Sequence, residues 1–208
     1  MTPRERTAAS TDEEIEAYTV GAPRMLNTTV HLDEYDPTWP ARFERQARLV
    51  REALGDAVLT LDHVGSTSIP GIAAKPIIDM CLVVADTTDE DAYVPPLEAA
   101  GFVLNIREPH WHEHRAFRKR LEDGDDESVN LHVYQQGCVE RERYFLFRDW
   151  LIAHPEDREL YERTKRELAA RVWKHIQNYA DAKTAVIEDI RSRCGNPAGP
   201  CARCPDSD

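Results

Sequence analysis

"HVGSTSIPGIAAKPIIDMCLVV", His63 to Val84, sets a Gly-Ser pair, two prolines, one lysine and one aspartate between two runs that read as β-strands. The second run, from Pro76 to Val84, is apolar almost without a break, the pattern of a strand buried on both faces. Asp79 stands inside it. Burying even an uncharged polar group without a partner costs roughly 2 to 7 kcal/mol, and an isolated carboxylate costs more, so something must face Asp79.

Outward from this stretch, the chain alternates strands with helices. "AVLTLDHV" is the strand before the Gly-Ser turn, and "ARFERQARLVREALG" spaces Phe43, Ala47, Val50 and Leu54 along one helical face that Gly55 ends. "TVHLDEYD", from Thr29, alternates like a strand, with Pro37 and Pro40 bracketing a turn at Trp39. A helix is expected within Asp89 to Ala100 and a short strand over Phe102 to Leu104. "HRAFRKRL" and "SVNLHVYQ" alternate on either side of the acidic turn "EDGDDE" and read as a hairpin. From Val139 the spacing predicts helices over Arg141 to Ala153, Glu156 to about Trp173, and Tyr179 to Arg193. The fold class is therefore α/β, more finely α+β: a mixed sheet flanked by helices, with a helical C-terminal part. Residues 1 to 28 read as a flexible leader with a short amphipathic helix near Thr11 to Tyr18, residues 29 to 193 as the domain, and residues 194 to 208 as a Cys/Pro/Gly-rich flexible tail.

The 208 residues suffice for one domain with a sizeable core. No apolar run reaches the roughly 18 residues a membrane span needs, and the charged N-terminus is unlike a signal peptide, so a cytoplasmic protein with no membrane partner is expected. The 38 acidic and 26 basic residues give a net charge of −12, which repels polyanions, and no nucleic-acid partner is expected. Only five of the basic residues are lysine: Lys75, Lys119, Lys165, Lys174 and Lys183. Cys81 and Cys138 are isolated and read as small hydrophobes. Cys194, Cys201 and Cys204 crowd the tail, but no tail histidine completes a four-ligand zinc site.

A strand, a Gly-Ser turn and an aspartate on the next strand about 13 residues later form the phosphate and metal site of the nucleotidyltransferase fold. Glycine lets the backbone approach a phosphate chain, its neighbours donate to phosphate oxygens, and the carboxylate holds a divalent ion. Gly65, Ser66 and Asp79 fit that spacing, and Thr67 and Lys75 extend the phosphate contacts; Lys75 could equally pair with Asp79. Arg118 and Lys119 point to opposite faces of their strand, so at most one of them serves the site. His132 shares an alternating strand with apolar Leu131 and Val133 and is expected to turn into the cleft beside Asp79. Asp79 and His132 would then hold the ion, Mg²⁺ or Mn²⁺ with Zn²⁺ as the alternative. His110, His112 and His114 would share one face if they lay on a strand, and mean little in a loop. His63 reads as a hydrogen-bonded core histidine.

The wider context resembles the GrpB family. The residues that carry the resemblance are Tyr35-Asp36-Pro37 with Trp39-Pro40, His63 to Gly71, Lys75-Pro76-Ile77-Ile78-Asp79, Phe117-Arg118-Lys119, Leu131-His132-Val133 and Phe147-Arg148-Asp149, and it spans about residues 29 to 193. It implies a nucleotidyltransferase-like fold and, because some members are fused to dephospho-CoA kinase, a loose link with coenzyme A metabolism. Two departures matter. Active nucleotidyltransferases carry a second acid two residues after the first, where this chain has Cys81, and the later strand carries Asn130 and His132 in place of a carboxylate. The expected function is binding of a nucleotide or phosphorylated small molecule at Gly65-Ser66 and Asp79, with transferase activity weak or lost. The alternatives are an active metal-dependent nucleotidyltransferase and a transition-metal enzyme using Asp79 and His132.

Overall fold

The computed structural model describes residues 9–121, 124 and 126–194. Helix α1 (Asp12–Tyr18) opens with a capping box in which Thr11 and Glu14 satisfy each other's backbone N–H groups. It docks through Ile15, 3% exposed, and Val20 donates its N–H to Asn105. Residues 10–28 are thus held against the domain, where a loose leader was expected; residues 1–8 lie outside the described chain.

Helix α2 (Trp39–Leu54) begins two residues earlier than the spacing predicts, with Pro40 in its first turn, where a missing N–H costs nothing. Strands β1 (Thr60–Val64) and β2 (Ile78–Val84) follow, separated by a single 3₁₀ turn at Ser66–Ser68. After α3 (Val94–Ala99) come β3 (Val103–Glu108), β4 (His114–Lys119) and β5 (Val129–Gln135). The five strands form one mixed sheet in the order β1-β2-β5-β4-β3. Only β2 and β5 run parallel; β1 with β2, β5 with β4 and β4 with β3 are antiparallel. The expected hairpin is β4–β5. "TVHLDEYD" is no strand: Thr28 and Asp33 make single bridges to Trp173 and Ala74, tying the segment to the helical layer and to the loop before β2.

Each face of the sheet is covered. Ile78, Met80 and Leu82 of β2, Leu131 and Val133 of β5 and Phe117 of β4 pack under α2 and α3 against Trp39, Phe43 and Leu97. The opposite face carries the polar side chains; Cys81 and Tyr134 pack there against Tyr144 of α4 (Glu140–Ala153), while α5 (Pro155–Ala169), α6 (Ile176–Ala182) and α7 (Thr184–Arg191) join α4 in a helical layer that packs on Ile69 and Ile72 before β2. One helix was expected over Tyr179 to Arg193. The chain instead breaks at Lys183, whose ammonium lies over the Tyr179 ring at 4.7 Å. Among the described residues no helix is long and apolar enough to cross a membrane. The Cys201 and Cys204 part of the tail lies outside the described residues; Cys194 is a free thiol.

Candidate functional site

Asp79 emerges on the helix-covered face, paired across β1 with Val64 and across β5 with Asn130. Its partners answer the question its burial raised. Asn130 Nδ2 donates to Asp79 Oδ1 at 2.7 Å, and Asn130 Oδ1 in turn accepts from Arg120 Nη2 at 2.6 Å, which fixes the orientation of the amide. Gly65 closes over the other oxygen. Its φ of +68° with ψ of −170° is a conformation reserved for glycine, and an added Cβ would sit 2.4 Å from Asp79 Oδ2. The Gly-Ser turn therefore does approach Asp79, but it ends an edge strand, not a central one.

Three lysines converge on this carboxylate. Lys75 comes from the loop before β2, Lys165 from α5 and Lys183 from the α6–α7 break, and each feels the Asp79 charge. Lys75 and Lys183 both lie over Tyr179, their ammonium groups 5.9 and 4.7 Å from its ring centre. Among the described residues neither is drawn into a salt bridge. Lys165, 2% exposed, donates to the carbonyl of Ala73 and lies 5.1 Å from the Tyr161 ring, whose hydroxyl is 3.5 Å from Ser66 Oγ. Burial, and after it the neighbouring Lys183, pushes Lys75 down to about 8 and Lys165 to about 7; burial lowers Lys183 as well. Lys75 and Lys165 each lose proton affinity to the charge of Lys183, and Asp79 is the acid common to all three, so like charges outnumber the counter-charge here.

The other expected contacts divide. Arg118 pairs with Asn130 in the β4–β5 ladder and so shares the cleft face, while Lys119 crosses to the far side, where it meets Gln46 at 3.4 Å and the Phe102 ring at 5.1 Å. Lys119 is thereby removed from the site, as strand alternation requires. Thr67 is removed too. Its hydroxyl is buried, faces His63 Nε2 at 3.0 Å and points at the Ile77 carbonyl, so it braces the turn instead of meeting a ligand. His63 stacks on Phe43 with ring centres 5.0 Å apart, and burial lowers it to about 4; it is a neutral core histidine.

His132 does face the side of Asp79, but its Nδ1 is 3.0 Å from His114 Nε2. His110, His112 and His114 do not share a strand face, because His112 and Glu113 take positive φ in a turn and only His114 enters a strand. A divalent ion does not suit this donor set. Cys81 is fully buried, with its thiol pushed up to about 12 by burial, and three lysines feel the Asp79 charge, which leaves few anionic donors for a divalent ion. Among the described residues no group of three or more His, Cys, Asp or Glu could hold a metal. Asp79 and His132 share one face of the sheet, two residues apart in the β2–β5 ladder, and three lysines feel the charge of Asp79. Elsewhere, a shallow depression along the outer ends of β1 and β2, near Leu59, Val83 and Arg141, gathers no comparable set of groups.

The family model for GrpB protein matches residues 29–193. The chain belongs to the GrpB family. It is 49% identical over 183 residues to the UPF0157 protein BH1888 of Halalkalibacterium halodurans, an alignment covering 88% of this chain and 91% of that protein. Over 198 residues it is 29% identical to a dephospho-CoA kinase of Mycolicibacterium paratuberculosis, covering 85% of this chain but 49% of the kinase. The crystal structure of conserved protein GrpB from Enterococcus faecalis superposes with a TM-score of 0.68 at 29% identity, covering 79% of this chain and 96% of that one. In this GrpB chain the residues that sequence reasoning passed over are Lys165, Lys183, Tyr161, Tyr179 and Arg120. One signal for them was present: in a chain with five lysines, Lys165 falls in line with Tyr161 and Leu168 on the apolar stripe of α5.

Proposed function

We propose that this GrpB protein binds a phosphorylated small molecule, a nucleotide or a coenzyme A precursor being the natural classes, in the cleft between the Gly65-Ser66 turn and helices α5 to α7. The observation that carries the reading is the convergence of Lys75, Lys165 and Lys183 on one aspartate in a protein of net charge −12. A phosphate chain supplies the missing negative charge and meets point-charge ammonium groups, with Arg118 and Arg120 on the β4 side. Asp79 acts as the resident counter-charge that keeps the lysines together when the cleft is empty of ligand. The kinase relatives, which extend well beyond the aligned part, make coenzyme A precursors worth including as ligands.

Nucleotidyl transfer lacks support in this arrangement, because the second carboxylate that would share two metal ions is a neutral buried thiol at Cys81 and an amide at Asn130. Binding without rapid turnover is the expected behaviour. Calorimetric titration with inorganic pyrophosphate, ATP and dephospho-CoA, in wild type and in Lys75→Met and Lys183→Met, tests it. Each substitution is expected to weaken binding at least tenfold, about 1.4 kcal/mol. Absence of binding by all three compounds at millimolar concentration, or affinities untouched by both substitutions, would refute the reading.

A further inference from the structure

Lys75 and Lys183 share an aromatic ring. Both lie over Tyr179 of α6, at 5.9 and 4.7 Å from its centre, while Trp173 meets that ring edge-on with centres 6.2 Å apart. Val30 and, from α5, Leu168 and Ala169 pack around it, and it is 1% exposed. A side chain this enclosed should have its polar atom satisfied, because a buried hydroxyl without a partner forfeits the hydrogen bond it makes to water in the unfolded chain. The Tyr179 hydroxyl has no such partner among the described residues. The two ammonium groups lie over the ring as cations on a π-face, and neither is hydrogen-bonded to the phenol oxygen. Trp173 does not serve either, since its indole N–H donates to the carbonyl of Leu168 at 2.8 Å. The phenol oxygen lies toward the Gly-Ser end of the cleft: it interacts electrostatically with the phenol of Tyr161, whose hydroxyl is 3.5 Å from Ser66 Oγ and feels the Asp79 charge. Burial raises the ionisation of Tyr179 far above neutrality, so the oxygen keeps its proton and is a donor.

We propose that the Tyr179 hydroxyl is a ligand-binding donor, which donates to a phosphoryl oxygen held by Lys75 and Lys183, and that the phosphoryl group it meets is a terminal one. The inference rests on the anion-binding reading of the cleft and narrows it from phosphate compounds at large to those with an unesterified phosphoryl end. In the ligand-free protein the two lysines rest on the ring, whose π-face replaces part of the hydration their ammonium groups have lost. An anion is a stronger partner than a π-face. Lysine carries its charge on a flexible four-carbon stem, so both ammonium groups swing from the ring to the phosphate by side-chain rotation alone, and the hydroxyl beneath them is uncovered. The enclosure sets the shape of the ligand. Tyr179 is 1% exposed and Lys165, which feels both Lys75 and Lys183, is 2% exposed, so a group that reaches the hydroxyl is walled in by α5 and α6 over most of its surface. A terminal phosphoryl group fits such an end, because one substituent leads out to solvent; an internal diester must lead two out. The hydroxyl keeps its proton throughout and serves binding alone.

Thermal melts and calorimetric titrations of the full chain test this, with Tyr179→Phe as the variant and inorganic pyrophosphate, ADP and ADP-ribose as the probes. Tyr179→Phe keeps the ring under both lysines and deletes only the oxygen. ADP and ADP-ribose share the adenosine diphosphate and differ in whether its end is esterified. The ligand-free melting midpoint of Tyr179→Phe is expected to equal or exceed that of the wild type, since no hydrogen bond is lost, while its affinity for pyrophosphate and for ADP falls at least fivefold. The wild type is expected to bind ADP at least tenfold more tightly than ADP-ribose. A ligand-free midpoint clearly below that of the wild type would show that the hydroxyl is bonded in the resting fold and would overturn the proposal, as would an unchanged affinity for pyrophosphate. ADP-ribose bound as tightly as ADP would overturn the terminal-phosphate part. Pyrophosphate that fails to bind the wild type removes the anion cleft and this inference with it, whereas binding that Tyr179→Phe leaves untouched removes this inference alone.

Discussion

At the scale of single residues, the contact between Gly65 and Asp79 is the tightest constraint in the site. A methyl group at Gly65 would meet Asp79 Oδ2 at 2.4 Å and Asp79 Cβ at 2.9 Å, and the backbone there has a positive φ. Both penalties fall on one substitution. Gly65→Ala is expected to destabilise the fold by about 2 to 4 kcal/mol, readable as a lower denaturant midpoint with an unchanged slope. Asp79→Asn separates two roles for the acid. As a metal ligand its loss would weaken nucleotide binding, whereas as a counter-charge among Lys75, Lys165 and Lys183 its loss frees positive potential for a phosphate. Pyrophosphate affinity is therefore expected to rise several-fold in Asp79→Asn, with calorimetry as the measurement and a fall as the contrary result.

The helices of the C-terminal layer bring the lysines in, and their burial couples ligand binding to pH. Folding lowers Lys165 to about 7 and Lys75 to about 8, against 10.5 for an ordinary lysine. Between about pH 7 and 10 the unfolded chain therefore holds more protons than the folded one, so these groups make the ligand-free fold more stable as pH rises. A phosphate ligand favours the protonated lysines, so its affinity falls over the same window. The other groups facing them are Asp79, Glu162, Asp181, Arg120 and the Tyr161 phenol, whose burial pushes its ionisation up and out of that window. Thermal melts from pH 6.5 to 9 are expected to show a shrinking pyrophosphate-induced shift while the ligand-free midpoint rises relative to Lys165→Met; parallel trends would contradict the assignment. The elements themselves were legible where a periodic pattern coincided with burial, as in α2, β2 and the β4–β5 hairpin. "TVHLDEYD" misled because alternation reports which side chains can face inward but not whether a neighbouring strand exists to pair with. The site was half legible: the Gly65-Asp79 contact follows from local spacing, whereas Lys165 and Lys183 arrive from helices nearly a hundred residues away, and no local rule places them.

For the molecule as a whole, charge is distributed against its net sign. The net charge is −12, yet three of the five lysines, Lys75, Lys165 and Lys183, feel one and the same aspartate, with Arg118 and Arg120 on the sheet side. A small anion enters such a cleft and leaves the acidic exterior behind, while a long polyanion must lie along that exterior and is repelled over most of its length. Selectivity between them then comes from shape and not from the number of basic residues. A fluorescent single-stranded oligonucleotide is expected to show no anisotropy change at moderate ionic strength with protein concentrations that saturate pyrophosphate. The lysine cleft is also expected to hold pyrophosphate through a rise in salt better than an exposed basic patch would, because Lys165 is 2% exposed and its field is poorly screened. Oligonucleotide binding that competes with pyrophosphate would mean the cleft is an open groove, and would move the ligand class from small phosphate compounds to nucleic-acid strands.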